Sequence, residues 1–157
     1  MVGNPVMLEE VFSEVYTKFK LNFYKSLFEK IQSRDTSLTT VETYCIEIIY
    51  AMNNPTISEF AEFIQISSPN AAYKVNSLIK KGYLKKIQSE TDKREYHLQV
   101  TDKYMEYYNL SANYVTEVMG RVKKRFSNKE LALLEKMLEL TADELMPELD
   151  GIKDIKL

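Results

Sequence analysis

Among the Thr/Ser-x-x-Glu pairs of this chain, three stand at the head of an apolar-periodic run: Thr39–Glu42, Thr56–Glu59 and Ser127–Glu130. In such a capping box each side chain satisfies a backbone N–H that a helix start otherwise leaves without a partner. The boxes therefore fix where three helices begin, and the apolar residues can be read in that register. Val41, Tyr44, Cys45, Ile48, Ile49 and Met52 form the apolar face of one helix, which Asn53-Asn54-Pro55 ends. Ile57, Phe60, Ala61 and Ile64 form the inward face of a short second one. After the third box, Leu131, Leu134, Leu138, Thr141 and Leu145 recur three and four apart, and Pro147 stops or kinks that helix. The tail beyond it has no assignable structure.

The remaining segments fall between these anchors. Residues 6 to 31 read as one long helix, with Val11, Val15, Phe19, Phe23, Leu27 and Ile31 four apart and Leu8, Phe12, Tyr16, Tyr24 and Phe28 widening the stripe. Gln65-Ile66-Ser67-Ser68-Pro69-Asn70 is a tight polar turn, where Ser67 or Ser68 can cap the next helix and Pro69 suits its first turn. That helix, about 69 to 81, buries Ala71, Val75, Leu78 and Ile79, and Gly82 is its expected stop. Its outward stripe is Asn70, Lys74, Ser77 and Lys81, with Tyr73 beside it. Residues 83–88 are a strand candidate. Tyr96, Leu98 and Val100 alternate with polar neighbours as a second strand, and the polar loop between makes a hairpin. Thr101 is expected to cap a helix over 102 to 126, where Met105, Tyr108, Ala112, Val115, Met119, Val122 and Phe126 keep a seven-residue repeat. So few breakers, four Gly and four Pro in 157 residues, agree with a mainly helical chain.

The order short helix, tight turn, helix with a polar outer face, hairpin is that of a winged helix-turn-helix. An α-helix fits the major groove of DNA, and its N-terminal residues reach base edges. Ser67, Ser68, Asn70 and Tyr73 are candidates for that end of the helix, and Lys74, Ser77 and Lys81 for phosphates. The alternative is a solvated polar face. A wing beside such a helix lies along the backbone, and its tip reaches a minor groove that is narrow and negative over A·T-rich sequence. Arg94 is the candidate there, Lys93 is a phosphate candidate, and Asp92 is expected to hold the arginine through a hydrogen-bonded pair. An idle surface arginine is the alternative. Charge supports the nucleic-acid reading locally: residues 66 to 101 hold seven basic and three acidic side chains, while the whole chain has a net charge of -2.

From residues 55–101, with Asp92-x-Arg94, Val100-Thr101 and Leu78-x-x-x-Gly82 in this order and with long helices before and after, the chain resembles the MarR family of bacterial transcription regulators. The resemblance covers nearly the whole chain. It implies a mainly α fold with a winged helix-turn-helix domain over 38–101, and dimerisation helices over 6–37 and 102–146. It implies a homodimeric, sequence-specific DNA-binding regulator, expected to be a repressor on an inverted-repeat operator and released by a small ligand or a redox signal. By it, Arg94 is the minor-groove residue and the helix from Pro69 to Lys81 the recognition helix. Two positions depart from the family's pattern. Ala72 stands where a DNA-contacting Ser or Thr is frequent, and Tyr104 stands where Gly is frequent.

The wide stripe of the first helix and the heptads of the last two support a dimer independently, with recognition helices about 34 Å apart; packing within the chain is the alternative. The eleven Tyr and seven Met can line an adaptable cavity or simply fill a core. A cavity for a small aromatic or lipid-like effector is expected among Phe23, Tyr44, Ile48, Tyr104 and Tyr108. Cys45, the only cysteine, lies on an apolar face and reads as core and not as an oxidant sensor. A chain without an intrachain disulfide, an apolar run near the roughly 18 residues of a membrane span, or a secretory signal fits the cytoplasm. His97, the only histidine, reads as an outward-facing surface residue with no ligand cluster, so no metal or cofactor is expected. There is no phosphate loop, nucleophile elbow or His-carboxylate set, so the chain is not expected to be an enzyme. The competing function is a winged-helix module that binds protein instead of DNA.

Overall fold

The computed structural model describes residues 7–33 and 37–149, apart from the side chains at 31, 107 and 109–112. The elements along the chain are α1 (Leu8–Ser33), α2 (Thr40–Ala51), α3 (Ile57–Phe63), α4 (Ser68–Lys80), strands β1 (Leu84–Gln88) and β2 (Tyr96–Val100), α5 (Asp102–Arg125) and α6 (Asn128–Glu144). A short 3-10 turn at Pro147–Leu149 follows; the rest of the tail lies outside the described residues. This is a mainly helical winged helix-turn-helix.

All three capping boxes form, with Thr39, Thr56 and Ser127 as N-caps and both reciprocal bonds present in each. Each such cap stabilises its helix by about 1 kcal/mol. Helix α4 starts on Ser67, whose hydroxyl accepts from the Asn70 N–H. It ends where Gly82 turns to φ 83°. There the Gly82 N–H reaches the Ile79 carbonyl and the Tyr83 N–H the Leu78 carbonyl, the paired bonds of a glycine-terminated helix.

The core lies where α2, α3 and α4 meet the wing and the start of α5. Ile46, Phe60, Ala71, Val75, Leu78, Leu98 and Tyr104 are fully buried there. Burial of each large apolar side chain stabilises by about 1.5–3 kcal/mol. The buried face of α2 differs from the expected one: Cys45, Ile46 and Ile49 point inward with Thr43, while Val41 and Tyr44 are exposed. Helix α2 is apolar on almost every side, so a three-four spacing fits several stripes. Packing against α4 and β2 selects the one containing Ile46.

Strands β1 and β2 pair antiparallel from Leu84↔Val100 to Gln88↔Tyr96. The segment before α3 adds to this wing. Thr56 bridges His97, and the Leu98 N–H donates to the Pro55 carbonyl at 2.8 Å. Thr101 occupies the N-cap of α5 but does not cap it. Its hydroxyl donates instead to the Gly82 carbonyl at 2.6 Å, tying the wing's exit to the end of α4.

Candidate nucleic-acid interface

The first turns of α4 stand clear of the core. Ser67, Ser68, Pro69 and Asn70 are exposed, and Tyr73 is 77% exposed, a large ring held in solvent on the outer face. Lys74 is half-buried on the same face. The N-terminus of a helix concentrates positive partial charge, so this end attracts anions as well as offering polar groups to base edges.

The other end of the stripe is occupied. The Ser77 hydroxyl donates to Glu42 Oε1 at 2.7 Å, and Lys81 Nζ donates to Glu42 Oε2 at 2.7 Å and to the Ser37 carbonyl at 2.8 Å. Glu42 also closes its capping box on the Thr39 N–H at 2.8 Å. Burial pushes the Glu42 carboxyl up, but the Lys81 ammonium, the Thr39 backbone N–H and the Ser77 hydroxyl outweigh it, and it falls to about 2. The sequence marks Glu42 only as a capping residue; nothing in it signals a partner 39 residues away.

At the wing tip, Lys93 and Arg94 are exposed. Among the described residues no ion pair engages either side chain or that of Lys74. The expected Asp92–Arg94 side-chain pair does not form. Asp92 Oδ1 accepts from the Arg94 backbone N–H at 2.9 Å instead, and the Glu95 N–H closes on the Asp92 carbonyl at 2.9 Å. Two residues apart, an aspartate reaches the backbone more readily than an extended guanidinium; the result is a local turn that leaves the guanidinium facing solvent. The Gln88 amide donates to the Lys93 carbonyl at 2.6 Å and further fixes the tip.

His97 is not the outward surface residue that strand alternation predicts. It is half-buried, with Nδ1 2.9 Å from the Asn54 carbonyl and Nε2 2.8 Å from Glu95 Oε1. Asn53 and Asn54 both adopt left-handed φ, 54° and 64°, a conformation asparagine tolerates better than most residues, and this aims the Asn54 carbonyl at the wing. Among the described residues no group of three metal-ligating side chains occurs.

The residues expected to line an effector cavity divide. Phe23 and Tyr108 line a cavity of about 330 Å³ between α1 and α5, together with Tyr16, Phe19 and Tyr114. Tyr104 lies beneath it in the core, its ring 5.6 Å from that of Tyr50 and 5.8 Å from that of Tyr108. Ile48 packs against the core, and Tyr44 is exposed on α2; neither lines the cavity. Glu47, which acts electrostatically on Tyr108, and Lys30 are two groups the sequence does not single out. Burial pushes the Glu47 carboxyl up to about 7 against the pull of Lys30, whose own ammonium burial drives downward. Cys45 is buried, and burial raises its thiol.

No helix among the described residues is long and apolar enough to cross a membrane. Comparison with known proteins agrees with the geometry. A sequence model of the MarR family matches residues 38–96. The HTH-type transcriptional regulator BilQ of Clostridioides difficile (strain CD3) is 28% identical over 90 residues, a match that spans 57% of this chain and 61% of that relative. A MepR mutant from a multidrug-resistant S. aureus clinical isolate superposes with a TM-score of 0.64 at 14% identity, over 91% of this chain and 100% of the other. Streptococcus pneumoniae FabT in complex with DNA superposes with a TM-score of 0.52 at 22% identity, over 87% and 96%. The matched residues 38–96 run from just before α2 to the start of β2, so the stretch that is similar to the MarR family is the winged helix-turn-helix itself.

Proposed function

We propose that the chain is a sequence-specific DNA-binding transcriptional regulator that acts as a homodimer on an inverted-repeat operator, as a repressor. The observation that carries this is the pairing of two exposed elements on one domain: the N-terminal turns of α4, with Ser67, Ser68, Asn70, Tyr73 and Lys74, and the fixed wing tip with Lys93 and Arg94. The first suits a major groove and the second an adjacent minor groove. A solved relative of the same fold, the FabT structure, contains DNA.

The dimer reading rests on uncovered apolar surface. Helix α6 buries no residue in the single chain, although Leu133, Leu134, Met137 and Leu138 lie along it. Leu8, Phe12 and Tyr16 of α1 are exposed as well. Apolar exposure on this scale marks an interface, and a second copy covers it with twofold symmetry. The α1–α5 cavity suits a small aromatic or lipid-like effector, because most of its described lining is aromatic.

Selection from a random-sequence duplex pool by the full chain tests the reading. A DNA-binding dimer enriches a twofold-symmetric site whose half-site centres lie about 34 Å apart. A pool that stays random through successive rounds would favour a winged-helix module that binds protein.

A further inference from the structure

We propose that Glu42 is a positioning residue for the recognition helix: by holding Ser77 and Lys81 it confines DNA contact to the first two turns of α4. This deepens the DNA-binding reading above and rests on it. Ser77 and Lys81 stand one turn apart on the stripe that a bare helical projection presents to DNA. In the structure both turn to one carboxylate on α2. The pair is well shielded, with the Glu42 side chain 12% exposed and that of Lys81 28% exposed. Lys81 already donates to Glu42 and to the Ser37 carbonyl, so two of its three ammonium hydrogens are engaged. A phosphate approaching Lys81 meets a carboxylate beside it, and the two side-chain charges cancel at that point.

The same end of α4 is held from the opposite side. Lys103 Nζ donates to the Lys81 carbonyl at 2.8 Å, and the Thr101 hydroxyl donates to the Gly82 carbonyl. Helix α4 is therefore clamped at its C-terminal end by α2 and by the start of α5, and exposed at its N-terminal end. A clamp of this kind fixes the angle at which Asn70 and Tyr73 enter a groove. Base discrimination depends on that angle, whereas attraction to phosphates does not.

The test uses the full chain, the duplex it selects from a random pool, and an unselected duplex of equal length, with affinity followed against salt. For Glu42→Gln, which frees the Lys81 charge, the ratio of selected to unselected affinity should fall about tenfold, and the slope of log affinity against log salt should steepen by about one. For Lys81→Met the slope should stay at the wild-type value, because no phosphate contact is lost. A Lys81→Met slope shallower by about one would overturn the assignment, since Lys81 would then neutralise a phosphate. So would a Glu42→Gln protein with an unchanged affinity ratio. The Lys81→Met arm decides the matter alone if thermal melting shows that Glu42→Gln does not fold. A wild-type chain that enriches no duplex would overturn the DNA reading itself and this assignment with it.

Discussion

His97 Nδ1 lies 2.9 Å from the carbonyl oxygen of Asn54, across 43 residues of chain. The contact joins the second wing strand to the connection between α2 and α3, so the wing and the helix-turn-helix share a frame. The Leu98 N–H, bonded to the Pro55 carbonyl, sits next to it. Replacing His97 with Ala removes the side-chain tie and leaves that backbone bond. The expected cost is about 1 kcal/mol. Hydrogen exchange should report it as faster exchange at the Leu98 amide, with amides of α6 unchanged. Equal acceleration across the whole chain would mean that the contact only adds to global stability.

Glu42 and Glu47 should shape the pH dependence of stability in opposite senses. Glu42 has a folded value of about 2 against an ordinary 4.5, so its contribution is present above 4.5 and is lost as pH falls toward 2. Glu47 has a folded value of about 7, so the folded chain holds a proton that the unfolded chain releases, and stability declines as pH rises from 4.5 to 7. Thermal melts across that upper window should show the midpoint of the wild type falling more steeply than that of Glu47→Gln. Parallel curves for the two proteins would contradict the assignment.

The apolar face of α6 should hold two copies together. Leu138→Glu places a charge on that face, where a carboxylate is costly to desolvate. Sedimentation should show the wild type as a dimer and the variant shifted to monomer, with helical content retained. A wild type that sediments as a monomer at all concentrations would leave the exposed leucines without an explanation.

Cys45 should be inert. Its thiol is buried and burial raises it, so little thiolate is available for attack. Mass spectrometry of the native chain after brief peroxide treatment should find Cys45 unmodified, and Cys45→Ser should respond to peroxide as the wild type does. Rapid oxidation at Cys45 would point to a sensing role.

Local signals in the sequence carry most of the architecture. The three boxes, Pro69, Gly82 and the alternation of Tyr96, Leu98 and Val100 mark element ends through backbone chemistry confined to a few residues, and each element forms at that place. Tertiary context decides the rest. Ile46 is buried because α2 is rotated by its packing, a choice its nearly uniform apolar surface leaves open. His97 meets Asn54 because a left-handed Asn pair bends the chain toward the wing. Asp92 serves the backbone and not the guanidinium because the turn at 92–94 is too tight for the longer reach. Ser77 and Lys81 look like part of an open stripe until α2 is folded against it and brings Glu42 to them.

The central claim is that the start of α4 and the wing tip form one DNA-binding surface, and Arg94 tests it most directly. Fluorescence anisotropy of a labelled selected duplex, titrated with wild type and with Arg94→Ala at several salt concentrations, is the measurement. Wild-type binding should weaken steeply with salt, and Arg94→Ala should lose about 1–3 kcal/mol of affinity. Arg94→Ala binding that overlays the wild type at every salt concentration would contradict that claim.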